Sequence, residues 1–237
     1  MEEILHGIVL GGVSYGENDK MLTIFTLNKG LVSAKIKGVK KAGAKLKFAS
    51  EPFCFAEFVF SKTQERRTVI GASLVDSFYP LRKDFKTLYL ASSCVEFVKK
   101  FSKENIVSDG LFSSLIEVLK TLAYGEQSVR LKATVEFFLS ALSLVGYALS
   151  LPFCPVCNDV IEGRVFFEYQ RGAFFCADCK SDKAIEVRRG TYLALSNIKT
   201  EEILESDYLN ALKLIDYYIE RKGDESINSL KEIIKMY

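Results

Sequence analysis

The sequence predicts an α+β protein of several parts: an amino-terminal five-stranded β-barrel of the OB type, then an α-helical domain with an inserted four-cysteine zinc module. Three observations carry this. Apolar residues alternate with period two up to about Ser77, and the period changes to 3.6 after Pro80. The third is Cys154-Pro-Val-Cys157, followed after eighteen residues by Cys176-Ala-Asp-Cys179. The 237 residues divide into the barrel (1–79), a first helical part (80–150), the zinc module (151–183) and a second helical part (184–237).

Ile4 to Val13 reads as the first strand, and Ser14 to Asp19 as a turn. Met21 to Leu27 is the second, closed by Asn28-Lys29-Gly30. Leu31 to Val39 is the third, where Val32, Ala34 and Ile36 alternate with Ser33, Lys35 and Lys37. After a basic loop, Phe53 to Ser61 and Arg67 to Val75 form the fourth and fifth, joined through residues 62–66. Closing these strands into a barrel removes their exposed edges.

Amphipathic helices follow. Asp84 to Lys103 sets Leu88, Ala91, Val95 and Val98 on one face, and Asp109 is the expected cap of a second helix carrying Leu111, Leu115, Val118 and Leu122. Ser128 to Gly146 has a doubled apolar stripe and should be the most buried helix. Beyond the cysteines, helices are expected at Thr191 to Asn197, at Thr200 to about Glu220 and at Asp224 to Met236. Thr200, with Glu201 and Glu202, is the expected cap of the second of these, and Ser206-Asp207 a weak point in it.

Apolar residues make up 49% and charged residues 26%, the balance of a folded globular protein. No run of eighteen apolar residues offers a membrane span, and the acidic start Met1-Glu2-Glu3 is unlike a secretory signal. Cys54 and Cys94 lie in apolar surroundings and are expected to be free, buried thiols. All six cysteines suit a reducing cytoplasm.

Within the module, Arg164 to Tyr169 and Ala173 to Phe175 read as strands about a Gln170-Arg171-Gly172 turn. Such a hairpin carries the second cysteine pair back to the first. Four thiolates from Cys154, Cys157, Cys176 and Cys179 fill a tetrahedron and leave no open position, which predicts one structural Zn²⁺. The competing reading of a Cys-x-x-Cys pair is a redox disulfide, but no thioredoxin-like strand–helix pattern surrounds these pairs.

The net charge of +2 conceals an asymmetry: eight lysines and no acid lie between Lys20 and Ser50, whereas nine acids face six bases from Ser196 to Tyr237. Lys35, Lys37, Lys40, Lys41, Lys45 and Lys47 form a stripe that suits a phosphate backbone. The plainer alternative is a solvated strand face with a charged loop. Lysine without arginine points to binding without base readout. Phe25, Phe48, Phe53, Phe55 and Phe58 lie near the stripe; barrel core is the commoner use of such residues, and Phe48, inside the basic loop, is the best candidate to stack on a base.

Catalysis finds little footing. His6 is the only histidine and sits in an ordinary strand, and neither a phosphate-cradling Gly-Lys-Ser/Thr loop nor a dinucleotide fingerprint is present. The chain reads as a binding protein and not an enzyme.

Gly7-Ile-Val-Leu10, Tyr15-Gly-Glu-Asn-Asp-Lys-Met-Leu-Thr-Ile-Phe-Thr26, Lys29-Gly-Leu-Val-Ser33, Gly38-Val-Lys-Lys41, Glu51-Pro-Phe53, Tyr79-Pro-Leu-Arg-Lys-Asp84 and Leu144-Val-Gly-Tyr147 occur in that order. Together with the four cysteines they resemble the bacterial DNA repair family RecO over about residues 1–195. The resemblance implies a cytoplasmic, nucleoid-associated recombination mediator that binds single- and double-stranded DNA and anneals complementary strands. It also implies action with RecR, and indirectly RecA, on DNA coated by single-strand-binding protein. The acidic, apolar-ended tail of that last partner needs an apolar groove with a positive rim, for which Arg130 and Lys132 are the candidates. An alternative class is a zinc-ribbon interaction scaffold that does not touch DNA.

Overall fold

The computed structural model describes residues 2–63, 66–196, 198 and 202–237. Strands β1 (Glu2–Tyr15), β2 (Asp19–Thr26), β3 (Gly30–Ile36), β4 (Phe55–Thr63) and β5 (Arg66–Asp76) form a closed barrel. Its order is β1-β2-β3-β5-β4, with β4 back on β1. Every pairing is antiparallel except β3 with β5. This is the five-stranded OB arrangement.

β1 is longer than its alternation suggested because it serves two neighbours, β4 over residues 2–8 and β2 over residues 7–15. Only Gly16 to Asn18 remain as the turn, with Gly16 at φ +67°. β3 ends at Ile36 and not at Val39. Gly38, at φ +65°, turns the chain away, and its N–H donates to Asp19 Oδ1 at 2.8 Å. Lys37 is therefore beyond the strand that holds Lys35. Phe53, the expected first residue of the fourth strand, precedes β4: it has φ +68° and donates its N–H to the Val9 carbonyl. Of the predicted joint between the last two strands, Gln64 and Glu65 lie outside the described residues.

β1 explains how barrel and helices join. Val9 points into a barrel core with Leu5, Leu22, Ile24, Val32, Phe58 and Phe60. Ile8 and Leu10 face the other way, into a larger core shared with the helices. α1 (Phe85–Phe101) and α2 (Asp109–Tyr124) build that side, and Phe112 of α2 meets Phe25 at 5.8 Å and Phe55 at 6.0 Å. A run buried on both faces of a strand is why Ile8-Val9-Leu10 lacks alternation.

Asp84, where the first helix was expected to begin, is the cap of α1, accepting from Thr87 N at 2.9 Å. Asp109 does not cap α2: it lies in the first turn, with Ser108 at the cap position. α3 (Arg130–Leu144) follows a short 3-10 turn and buries a single stripe, Leu131, Thr134, Val135, Phe138, Ala141 and Leu142 with Phe137 beside it. It is no more buried than α1, with seven of its fifteen residues buried against eight of seventeen, and its Leu144 is exposed.

In the four-cysteine module β6 (Val165–Glu168) and β7 (Ala173–Phe175) pair as expected, joined by an unforeseen third strand, β8 (Ile185–Val187). α4 (Arg189–Ser196), α5 (Glu205–Gly223) and α6 (Asn228–Lys235) complete the chain. The expected weak point at Ser206-Asp207 is the start of α5, where the Asp207 carboxylate accepts from Leu204 N at 3.0 Å. The expected cap at Thr200 and Glu201 lies outside the described residues. α6 is shorter than its sequence pattern, and its first N–H groups, Asn228 and Ser229, are satisfied by Glu96 of α1 at 3.1 and 2.9 Å. No helix among the described residues is long and apolar enough to cross a membrane.

Between α5 and α6 sits Asp216, whose Oδ1 is buried without a hydrogen-bond partner among the described residues. Burial, then the neighbouring Glu220, push its carboxyl up to about 6 against the pull of Lys231. The folded chain thus holds this proton more tightly than the unfolded chain, where an aspartate titrates near ~3.9. Stability from this group is fullest below that value and is lost as pH rises through about 6. Asp216→Asn should raise the thermal midpoint at pH 7.5, with a gain that shrinks towards pH 4. An equal gain at both ends of that range would exclude titration as its cause.

Candidate nucleic-acid interface and metal centre

The basic segment after β3 is a series of tight turns. Lys40 N bonds Asn18 O at 3.0 Å, Lys41 N bonds Gly38 O at 3.1 Å and Lys47 N bonds Ala44 O at 3.1 Å. Apolar residues peg it to the barrel: Val39 and Ala49 are buried, and Leu46 and Phe48 are half-buried against the barrel core. Lys37, Lys40, Lys41, Lys45 and Lys47 are left exposed. Alternation of anchor and charge in Lys45-Leu46-Lys47-Phe48 produces a positively charged end on a fixed base.

Acids missing from the segment itself are supplied from its flanks. Asp19 pairs with Lys35 at 2.8 Å, and Glu51 with Lys20 at 3.5 Å. The hydrogen bond from Lys35, then that from the Gly38 N–H, holds the Asp19 carboxyl below the usual carboxylate range. Lys35 also lies 4.6 Å from the centre of the Tyr15 ring. Among the described residues, the five exposed lysines have no ion-pair partner. Of the aromatics near the stripe, Phe25, Phe53 and Phe58 are buried and cannot stack on a base. Phe53 lies 5.7 Å beneath the Arg82 guanidinium, which also donates to the carbonyls of Pro52 and Ser77 at 2.7 and 3.0 Å. That clasp went unseen in the sequence because it joins the loop before β4 to the turn before α1.

Arg130 and Lys132 each have a partner. Arg130 donates to Thr87 Oγ1 at 2.6 Å and lies 3.7 Å from Asp84, so it ties the start of α3 to the cap of α1. Lys132 lies 3.8 Å from Glu136, one turn along α3. The cavity between α2 and α3 beside them is lined by Glu117 and Glu136 together with Val118 and Phe137.

The four module cysteines converge: Cys154, Cys157, Cys176 and Cys179 bring their sulfurs within 4.8 Å of one another. The Cys157 and Cys176 sulfurs are 3.9 Å apart, against a tetrahedron edge of about 3.8 Å for metal–sulfur bonds of ~2.3 Å. Tight turns aim them. Cys154 N bonds Asp159 O at 2.9 Å, Asn158 N bonds Cys154 O at 2.8 Å and Cys179 N bonds Cys176 O at 3.3 Å. Burial raises the Cys154 thiol, but N–H bonds from Cys157, Cys176 and Val156 outweigh it and bring it down to about 6. The Cys176 thiol, then burial and the thiols of Cys157 and Cys154, push Cys179 up to about 12. Four such neighbours ionise together only around a cation. Their sulfurs are placed to hold one metal ion. Cys54 and Cys94 are free and buried, as expected.

The family model described as Recombination protein O N terminal matches residues 1–78, and that described as Recombination protein O C terminal matches residues 82–231. The chain belongs to the RecO family. Among curated RecO relatives, the DNA repair protein RecO of Acetivibrio thermocellus is 28% identical over 94% of this chain and 93% of its own length. That of Pelotomaculum thermopropionicum is 31% identical over 78% of this chain and 72% of its own. That of Clostridium acetobutylicum is 26% identical, covering 97% and 88%. RecO membership supports a role in DNA repair and recombination. The boundary between the two RecO matches, residues 79–81, falls in the turn between β5 and α1, where the hydrophobic period changes.

Proposed function

We propose that this RecO-family chain is a non-catalytic recombination mediator that binds single- and double-stranded DNA through the end of its barrel without reading sequence. The supporting observation is the set Lys37, Lys40, Lys41, Lys45 and Lys47: exposed, anchored and without ion pairs among the described residues. Lys35 completes the set by exchanging Asp19 for a phosphate. Ammonium groups on flexible stems suit backbone contact and counterion release better than base recognition. The half-buried Phe48 is the aromatic assigned to an unpaired base.

The metal is proposed to be one structural Zn²⁺ on Cys154, Cys157, Cys176 and Cys179, since four thiolates form a soft, closed set. Its role is to close the module, and the chemistry of annealing does not pass through it. Partners in this reading are RecR, single-strand-binding protein and, indirectly, RecA, in a cytoplasmic, nucleoid-associated protein. The receptor proposed for the acidic tail of single-strand-binding protein is the pair Arg130 and Lys132, with tail carboxylates taking the places of Asp84 and Glu136.

A DNA titration against salt tests the central claim. Lys40→Ala with Lys41→Ala should weaken binding about equally for all sequences, and the slope of log affinity against log salt should become shallower by roughly two. An unchanged slope would move the DNA surface elsewhere. Absence of binding at low salt would favour the interaction scaffold.

A further inference from the structure

The carboxy-terminal segment is acidic in sum, yet its bases are not mixed among its acids. On α5, Lys213, Tyr217 and Arg221 recur every four residues, so they share one face and span about 12 Å along the axis. All three are exposed, while Leu212, Ile215, Tyr218 and Ile219 are buried. The Arg221 guanidinium lies 4.8 Å from the centre of the Tyr217 ring. Tyr169, at the end of the β6–β7 hairpin, meets the same ring edge-on at 4.4 Å.

The hairpin turn is fixed against this helix. Lys222 Nζ donates to Gln170 O at 2.9 Å. Gly172, at φ +59°, lies so close that a Cβ there would meet Tyr218 Oη at 2.5 Å. The turn thereby sets the exposed Arg171 beside the helix, its guanidinium 4.8 Å from the Phe175 ring. Among the described residues, Arg171, Lys213, Arg221 and Lys222 form no ion pair. Of the neighbouring acids, Glu220 pairs with Lys231 and Glu225 with Lys100 at 3.5 Å, while Asp224 lies exposed at the end of the helix.

We propose that this surface of α5 and the zinc hairpin is a second binding site for single-stranded nucleic acid, distinct from the barrel lysines. Cations on either side of an exposed ring reproduce the combination of phosphate contact and base stacking that holds single strands without sequence preference. An arginine lying on that ring widens the stacking platform. A duplex would keep its bases from Tyr217, and an acidic peptide would use the charges but not the ring. The site rests on the DNA-binding reading above and deepens it. The barrel packs against α1 and α2, whereas α5 packs against α3, α4 and α6. Two surfaces on different layers let one chain hold two strands at once, which pairing complementary strands requires.

The test is binding of labelled oligo(dT) by the full zinc-loaded chain at low salt, in four forms: unaltered, Lys40→Ala/Lys41→Ala, Lys213→Glu/Arg221→Glu, and all four changes together. Circular dichroism and zinc content check that each form is folded. The α5 reversal should cost at least about tenfold in affinity, and the fourfold variant should bind more weakly than either double. Tyr217→Ala should lose severalfold where Tyr217→Phe does not, a difference that charge alone would not produce. A folded α5 reversal that binds like the unaltered chain overturns the site. Loss of binding to a labelled glutamate-rich peptide with oligo(dT) binding intact overturns the nucleic-acid assignment in favour of a peptide. The barrel double mutant distinguishes this failure from failure of the reading beneath it: an unaltered chain that binds no DNA removes both, whereas DNA binding lost only in the barrel variants removes the α5 site alone.

Discussion

Cys154→Ser should cost more than about 4 kcal/mol of stability, because structural zinc binding is worth on the order of 10 kcal/mol and its free energy is folding free energy. Cys154 is the buried member of the set and accepts the N–H bonds that fix the first turn, so serine there loses both a ligand and that turn. The loss should not stay local. Phe166, Phe167, Phe174 and Phe175 of the module lie in the same core as α1 to α6, and Tyr192 of α4 donates its hydroxyl to the Pro152 carbonyl. Urea unfolding with and without a strong chelator measures the effect. The unaltered chain should carry one zinc and lose stability cooperatively on chelation. A metal-free chain as stable as the metal-loaded one would refute the prediction.

Phe97→Ala should cost about 3–5 kcal/mol, the usual range for removing a buried aromatic ring. Phe97 is fully buried and central: it stacks on Phe101 at 4.4 Å and meets Phe138 at 5.6 Å and Phe137 at 6.3 Å, both edge-on. It therefore joins α1, which lies under the barrel, to α3. Zinc content and the salt slope of DNA binding should stay unchanged in the folded variant, because neither site contains this ring. A cost below about 1 kcal/mol would mean that the core closes over the gap.

Signals confined to a few neighbouring residues were legible in the sequence. Cys-x-x-Cys is a local turn, so the four cysteines that converge could be named from spacing, and the first helix begins beside Asp84, where the change of period put it. Alternation identified all five barrel strands, but not their ends, because a strand runs on for as long as it has a neighbour to pair with. β1 reaches Tyr15 only because β2 returns to Asp19. β8 was missed since three residues, two of them exposed, carry no pattern.

The sequence by itself determined the barrel, the helices, the four cysteines that come together and the existence of a lysine-rich end, all of which follow from periodicity, turn chemistry or composition over short spans. Tertiary structure alone decided which charges are free. Asp19 takes Lys35 out of the exposed set, Asp84 engages Arg130, and Glu96 caps a helix that begins 132 residues later. It also drew Glu220 and Glu225 to lysines away from the α5 cations and set a turn of the four-cysteine module beside them. The reason is physical: a charge pairs with whatever folding brings within a few ångströms, and that distance bears no relation to separation along the chain.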